Sequence, residues 1–283
     1  MRSIVDSAAW KGRNRRVTQT QPPQTAPTAV PTSNDAPTSA ALSDAERQEL
    51  IDLYRGLRVT DVCDGMDRCG LQDVGLLDWE IRPLWRDTDH FAHRIYGFAH
   101  TVRFVPTMRR MPTDTPEQID QHVSHWYRTY ARGPINGDIR KGDVIVIDAQ
   151  GVPDTGFIGS NNAQGWINAG AVGVVTNGGA RDTDELIKQR VPVYSKKISR
   201  GIRPGRLETD RLNEPVTVGG VYIRPGDLIV ADGDGAICVP IERARDVATW
   251  AWKVANGDKQ GRRRLYEAAG LTMDETVEVR EGM

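Results

Sequence analysis

The middle of the chain alternates short, mostly apolar runs with glycine-rich polar stretches. Asp143–Asp148 and Ala171–Thr176 are rich in β-branched residues, which predicts two buried strands. The second run leads into Asn177-Gly178-Gly179, a sequence that predicts a turn with positive φ. Arg181 and Asp182 follow, where the chain is expected to pass from a strand into a helix. Because a guanidinium and a carboxylate placed side by side after such a turn can face a ligand, we interpret this stretch as the active site.

Two helices are predicted from their periodicity and their end signals. Ser160 is the expected N-cap of a short helix, Asn161–Asn168, which Gly170 is expected to end. Glu242–Asn256 is a longer amphipathic segment, and Gly257 is its predicted end. The central stretch therefore has the order strand, helix, strand, followed by a further helix after Asp182.

Two capping boxes mark further helix starts. Ser43 and Glu46 have the spacing at which each side chain bonds the other residue's backbone amide, and Thr115 and Gln118 repeat it. Apolar residues follow each box at helical spacing, which predicts one buried face per helix: Leu50, Ile51, Tyr54 and Leu57 in the first, and Ile119, Val123, Trp126 and Tyr130 in the second.

A short internal repeat joins the centre of the chain to its C-terminal part. Gly142–Gly151 and Gly226–Gly235 both contain Gly-Asp, four apolar residues, an acid and a glycine turn. The simplest interpretation is a repeated strand-and-turn unit in which Asp143 and Asp227 bond their own backbone. Turn chemistry likewise explains Asp232 and Asp234 better than metal ligation does.

Composition sets modest limits. The chain has 283 residues and a formal net charge of -1, which gives no indication of a nucleic-acid or membrane surface. Its three cysteines have no metal-ligand spacing, and their odd number favours a reducing compartment, so we expect a cytoplasmic protein. Residues 1–42 hold few large apolar groups and are predicted to be a disordered tail. Residues 258–283 are charged and predicted to form a helix and a loose end.

Three other groups of residues could carry chemistry. Acids in Thr60–Gly70 could bind a cation, but a helix start with solvated acids is the favoured interpretation. One of the five histidines could be a general base or a ligand, although ordinary packing is favoured for each. Arginines in Arg200–Glu208 could equally grip a substrate carboxylate or pair with acids across a subunit boundary. The acids are Asp61, Asp64 and Asp67; the histidines are His90, His93, His100, His122 and His125; and the arginines are Arg200, Arg203 and Arg206.

The central stretch, together with Gly226–Pro240, resembles the family of 4-hydroxy-4-methyl-2-oxoglutarate aldolases and RraA-type regulators of RNase E activity. The shared features are the Gly-Asp strand, the G-x-N helix start at Gly159–Asn161 and the Arg181-Asp182 pair. The resemblance implies a single α/β domain of the swivelling β/β/α type with glycine-rich strand turns, here residues 43–257 with an insertion at about 86–135. It also implies a trimer or a hexamer with active sites at subunit boundaries.

The same resemblance implies a chemistry. Asp182 would anchor Mg²⁺ or Mn²⁺, and Arg181 would hold the carboxylate of a 2-oxo acid. Gly159, Ser160, Asn161 and Asn162, at the helix start, would bind the same anion. Retro-aldol cleavage of a 4-hydroxy-2-oxo acid and decarboxylation of oxaloacetate both pass through a pyruvate enolate, so one site could perform both.

Ser160 departs from the family pattern. Members with aldolase activity carry an acid at this place, whereas a serine hydroxyl cannot take a proton at neutral pH. Asp154 or a residue of a neighbouring subunit could supply the missing group. Two other functions therefore stay open beside the metal-dependent lyase: an RraA-like regulatory binding protein without catalysis, and a sugar-acid dehydratase or hydrolase on the same scaffold.

Overall fold

The computed structural model describes residues 42–112, 115–134, 136–149 and 154–282, all within the unit Ala36–Met283. Almost all of the predicted tail, residues 1–42, therefore lies outside the described residues. The helices are α1 (Asp44–Tyr54), α2 (Val59–Arg68), α3 (Pro116–Thr129), α4 (Ser160–Ala169), α5 (Thr183–Lys188) and α6 (Ala244–Ala269). The strands are β1 (Arg82–Pro83), β2 (Ile95–Pro106), β3 (Asp143–Asp148), β4 (Gly156–Ile158), β5 (Gly173–Ala180), β6 (Val193–Ile198), β7 (Leu207–Leu212), β8 (Val216–Val218), β9 (Val221–Ile223), β10 (Leu228–Asp232) and β11 (Gly235–Val239).

Nine of these strands form one mixed sheet around β2. The order is β1-β6-β5-β3-β2-β10-β11, with β4 paired to β5 and β7 paired to β2. β2 is parallel to β3 on one edge, while β10 and then β7 pair antiparallel along its other edge. The ends of the sheet approach each other, since Arg82 Nη1 of β1 donates to the carbonyl of Asp234 next to β11 at 2.8 Å. The result is a barrel-like α/β domain, and the predicted α/β class is confirmed.

The parallel strands β3, β5 and β6 lie at the centre of the fold. All six residues of β3 are buried, as expected for a parallel strand that is covered on both faces. Helices α4 and α5 cover one face with Trp166 and Leu186, which pack with Phe104 and Phe157 of the strands. The β8–β9 hairpin contributes to the core on the other side of the sheet. Because α4 and α5 connect parallel strands, both begin at the same edge of the sheet, where ligand sites of such folds occur.

Helices α1, α2 and α6 form a separate layer. Tyr54 and Trp252 are buried there with Leu50 and Val247, and the Tyr54 hydroxyl donates to the carbonyl of Ala244 at 2.7 Å. None of the helices in the described part of the chain combines the length and apolar character that a membrane span requires.

The local signals at helix starts and Gly-Asp turns are confirmed. Both capping boxes are present, at the starts of α1 and α3. In the repeated unit, Asp143 accepts the amide of Arg140 at 2.8 Å, and Asp227 accepts the amide of Arg224 at 2.8 Å. Asp232 accepts the amide of Asp234 at 2.8 Å, which is the predicted turn chemistry.

Asp143 also belongs to a buried charge cluster. Its Oδ1 lies 2.6 Å from Arg47 Nη2 of α1, and its Oδ2 lies 3.4 Å from His100 Nδ1 of β2. Burial acts to raise the pKa of the Asp143 carboxyl, but hydrogen bonds from His100 and the Arg140 amide, together with the Arg47 charge, outweigh it and lower that pKa. This cluster fixes α1 to the start of β3.

Two glycine predictions are wrong. Asn177-Gly178-Gly179 is not a turn, because β5 continues through it with a register shift. A side chain on Gly178 would overlap Phe157, and one on Gly179 would overlap Ser199, so these glycines permit close packing rather than positive φ. Gly257 does not end the last helix either, since α6 continues to Ala269 and ends at Gly270, whose φ is 65°.

The range 86–135 has two structurally different parts. It contains β2, the central strand of the sheet, as well as α3, which lies outside the sheet. Its description as an insertion relative to shorter relatives stays a prediction, as do the domain boundaries at 43, 257 and 258.

Candidate functional site

The start of α4 and the end of β5 meet at the mouth of one cavity of about 550 Å³. The cavity is lined by Gly159, Asn161, Asn162, Arg181 and Asp182. The side chains of Arg181 and Asp182 are 33% and 34% exposed, so they border the cavity and are not enclosed in the protein interior. The structure thus brings together the residues that the sequence singled out, apart from the side chain of Ser160.

Asp182 has an unusual backbone that turns its carboxylate towards α4. Its φ of 55° and ψ of 42° are left-handed, a conformation that aspartate tolerates better than most residues. It occupies the N-cap of α5 but does not cap that helix with its side chain. Instead, Oδ2 accepts the amide of Ser160 at 3.1 Å, and Oδ1 accepts Nε of Arg181 at 3.2 Å. The carboxylate therefore links the two halves of the site.

Two glycines make room for this arrangement. A Cβ atom on Gly159 would lie 2.7 Å from Oδ2 of Asp182, and one on Gly156 would lie 2.6 Å from Cγ of Arg181. Both distances are shorter than ordinary Cβ contacts, so a side chain at either position would displace Arg181 or Asp182. Gly156 and Gly159 therefore allow these two residues to pack closely against the β4–α4 connection.

Ser160 is placed differently from the prediction. It is the first residue of α4, and the N-cap is Gly159, with an extended backbone at φ -120° and ψ 162°. The cavity lining includes its neighbours on both sides but not Ser160 itself. The Asp182 carboxylate already accepts the first amide of the helix, which is the task an N-cap side chain performs. A catalytic role for Ser160 stays a prediction.

The next two amides of α4 are suited to an anion. Asn161 and Asn162 stand in the first turn of the helix, where backbone amides have no acceptor within the helix. The helix dipole adds partial positive charge at the same end. With Arg181 alongside, the mouth of the cavity can bind a carboxylate.

The opposite wall comes from α3 and from the loop that precedes β7. Tyr127 belongs to α3, Gly133 and Pro134 to the segment that follows this helix, and Ile202 and Arg203 to the loop. Sequence reasoning missed Tyr127, because the helical period of α3 drew attention to Trp126 and Tyr130 instead.

The three loop arginines have different surroundings. Nε of Arg200 donates to Asp154 at 2.7 Å, and Arg206 Nη1 donates to the carbonyl of Ile202 at 3.0 Å. Arg203 alone of the three lines the cavity, and it is 5% exposed.

The histidines and the acids of α2 lie elsewhere. None of the described lining residues of this cavity is a histidine. His93 is buried and accepts the amide of Asp87, His100 contacts Asp143, and His122 and His125 border a different hollow beside Trp126. Asp61 is buried and paired with Arg58 at 2.6 Å, so it serves the start of α2.

Metal-ligating residues are sparse. The described part of the chain holds no group of three or more histidine, cysteine or acidic side chains that could bind a metal ion. Asp182 is the one carboxylate among the described lining residues, and each of its oxygens accepts one hydrogen bond, which leaves further lone pairs. A single such acid fits Mg²⁺ or Mn²⁺, which keep several waters, and does not fit zinc.

A family model and two known proteins are similar in sequence to this chain. The family model RraA-like: Aldolase/RraA matches residues 59–238. Protein DlpA of Legionella pneumophila is 26% identical over 222 residues, 77% of this chain and 31% of that protein. The 4-hydroxy-4-methyl-2-oxoglutarate aldolase of Thermus thermophilus is 33% identical over 103 residues, 35% of this chain and 60% of the enzyme.

A solved structure shares the fold. RraAS2 of Streptomyces coelicolor, described as an unusual member of the RNase ES inhibitor RraA protein family, superposes with a TM-score of 0.60. The match has 23% identity and covers 76% of this chain and 96% of that one, so it establishes a common fold.

Proposed function

Since the chain belongs to the RraA-like family (aldolase/RraA), we propose that it is a divalent-metal-dependent lyase that cleaves a 2-oxo acid through a pyruvate enolate. The reactions are retro-aldol cleavage of a 4-hydroxy-2-oxo acid and decarboxylation of oxaloacetate. The observation that carries this proposal is that Arg181 and Asp182 lie side by side at a cavity that Asn161 and Asn162, in the first turn of α4, also line.

Each residue of the mouth has a role in binding the substrate. Arg181 donates a forked pair of hydrogen bonds to the carboxylate of the 2-oxo acid. The amides of Asn161 and Asn162 donate to the same group, as at other helix N-termini. The carboxylate is thereby fixed at the mouth, and the rest of the substrate extends into the cavity towards Tyr127.

Asp182 is the residue that would hold the cation. Its bonds to Ser160 and Arg181 fix the orientation of the carboxylate without using all of its lone pairs. Mg²⁺ or Mn²⁺, when bound, supplies a Lewis acid that polarises the substrate ketone and stabilises negative charge on its oxygen.

The two reactions differ in whether they require a base from the protein. Retro-aldol cleavage requires a base for the proton of the 4-hydroxyl group, and Ser160 cannot serve at neutral pH. Asp154 is paired with Arg200, whose hydrogen bonds lower the pKa of its carboxyl, and it is not among the described lining residues. An acidic side chain that acts as this base would then come from a neighbouring subunit. Decarboxylation needs no base: the C3–C4 bond breaks, CO₂ leaves, and the enolate takes a proton at C3 from solvent.

The test is an assay of pyruvate release from oxaloacetate and a panel of 4-hydroxy-2-oxo acids, with Mg²⁺ or Mn²⁺ against EDTA. Asp182→Ala is expected to lower metal-dependent turnover by at least about a hundredfold, because the cation loses its protein ligand. Asp184→Ala is the matched control, since Asp184 is an exposed acid of α5 outside the cavity lining. Equal activity of wild type and Asp182→Ala would remove the metal role. Absence of turnover on every substrate would favour the regulatory or sugar-acid alternatives.

A further inference from the structure

The lining of the cavity contains a buried arginine, Arg203, for which the described residues provide no counter-ion. Arg203 is 5% exposed, and its Nη1 atom has no hydrogen-bond partner among the described residues. The guanidinium carbon lies 5.2 Å from the ring centroid of Phe104 and 5.1 Å from that of Tyr127. These rings hold the cation by cation–π contacts but do not neutralise its charge.

The other buried arginine of the described residues shows how unusual this is. Arg47 is 3% exposed, and it also lies over an aromatic ring, that of Phe98. Unlike Arg203, it has a carboxylate partner, Asp143, at 2.6 Å. The fold therefore provides a counter-ion for one buried guanidinium and, within the described residues, none for the other.

A buried charge lowers the stability of the protein unless an opposite charge pairs with it. Burial lowers the pKa of the Arg203 guanidinium, and the Tyr127 hydroxyl opposes that shift. An arginine nevertheless stays protonated in proteins, so the positive charge is permanent. Arg203 lines the same cavity as Arg181. An anion bound in this cavity would supply the missing partner.

We propose that Arg203 is the residue that binds the second carboxylate of a dicarboxylic 2-oxo acid, so that the preference for such a ligand over a monocarboxylic one depends on this side chain. This inference rests on the proposed function, which assigns the first carboxylate to Arg181. A guanidinium stabilises the carboxylate that it contacts and so opposes the loss of that group as CO₂. The group bound by Arg203 is therefore one that survives cleavage, at the far end of a chain longer than that of oxaloacetate.

Two inert ligands of equal length test this selectivity. 2-Oxoglutarate and 2-oxopentanoate both have five carbons and differ only in a terminal carboxylate or methyl group. Calorimetric titration of the wild-type protein with Mg²⁺ present should give a dissociation constant about tenfold to a hundredfold lower for 2-oxoglutarate, the range expected for a charged hydrogen bond. Equal affinity for the two ligands, or no binding of either, would overturn the inference.

Variants assign the preference to its residue. Arg203→Met should abolish the preference and leave the affinity for 2-oxopentanoate within about twofold of wild type. Arg203→Lys, which keeps the charge but loses the planar fork, should retain part of it. Arg181→Met should weaken both ligands alike. A preference that survives in Arg203→Met would show that another group binds the second carboxylate.

Measurements of thermal stability and of the mass of the assembled protein test whether Arg203 has a purely structural role. Replacement of an unpaired buried charge by methionine should leave the melting temperature of the ligand-free protein unchanged or raise it. A lower melting temperature with a smaller mass by light scattering would mean that Arg203 pairs with an acid across a subunit boundary, and the inference would fail.

Oxaloacetate turnover keeps the two proposals apart. It is measured on the wild-type protein, because the proposed lyase activity does not depend on a preference between the two inert ligands. Turnover without ligand preference would contradict the inference alone, while preference without turnover would contradict the proposed lyase activity.

Discussion

Gly159→Ala is a one-carbon perturbation aimed at the contact that positions Asp182. The backbone of Gly159 is extended, so alanine adopts it without strain and the effect is purely steric. The added Cβ would lie 2.7 Å from Asp182 Oδ2, where ordinary contact begins at 3.4 Å. The oxygen must therefore retreat by about 0.7 Å.

This displacement is enough to disrupt the site. The hydrogen bond from the Ser160 amide to the same oxygen is already 3.1 Å long, so a retreat of this size breaks it. Overpacking of this kind costs about 1–3 kcal/mol of the free energy of unfolding. Misplacement of a reacting group by about 1 Å lowers catalysis about a hundredfold, so kcat/KM for oxaloacetate should fall about tenfold to a hundredfold.

The assays are urea denaturation and metal-dependent pyruvate release. Gly257→Ala is the control, because Gly257 is exposed in α6 and a Cβ there would meet nothing within 4 Å. It should keep wild-type kcat/KM and gain about 0.5–1 kcal/mol of stability, since glycine is unfavourable within a helix. If Gly159→Ala kept both wild-type turnover and wild-type stability, the close approach of Asp182 to the helix start would be refuted.

Two further predictions concern neighbouring groups. Ser160→Ala should leave oxaloacetate turnover within about threefold of wild type, because the structure uses only the backbone amide of Ser160, which alanine retains; a loss above about tenfold in the same assay would contradict this. Asp143→Asn should lower the free energy of unfolding at pH 7 by about 3–5 kcal/mol, since Arg47 is left buried without a counter-ion. Folding lowers the pKa of Asp143 from its ordinary 3.8, so the carboxylate stabilises the protein fully above that value and this contribution is lost as the pH falls through the lowered pKa. Urea titrations from pH 7 to pH 3 should show the difference between the two proteins shrinking on acidification, and a difference independent of pH would argue against the ion pair.

The sequence by itself determined the features that depend on near neighbours. The capping boxes at Ser43 and Thr115 and the Gly-Asp turns at Asp143 and Asp227 were predictable, because each side chain bonds a backbone amide three positions away. The Arg181-Asp182 pair could be singled out because adjacent residues stay adjacent in any fold.

Only the tertiary structure decided what depends on distant packing. Glycine permits a turn but does not require one, so the roles of Gly178 and Gly179 followed from Phe157 and Ser199, which the sheet brings against them. No local signal set Arg203 apart from the arginines beside it. It differs because α3 and β2 enclose it with Tyr127 and Phe104, from segments about 75 and 100 residues away, without a described acid. A residue's type shows what chemistry it can perform, but burial and the choice of partner are set by the segments that fold around it.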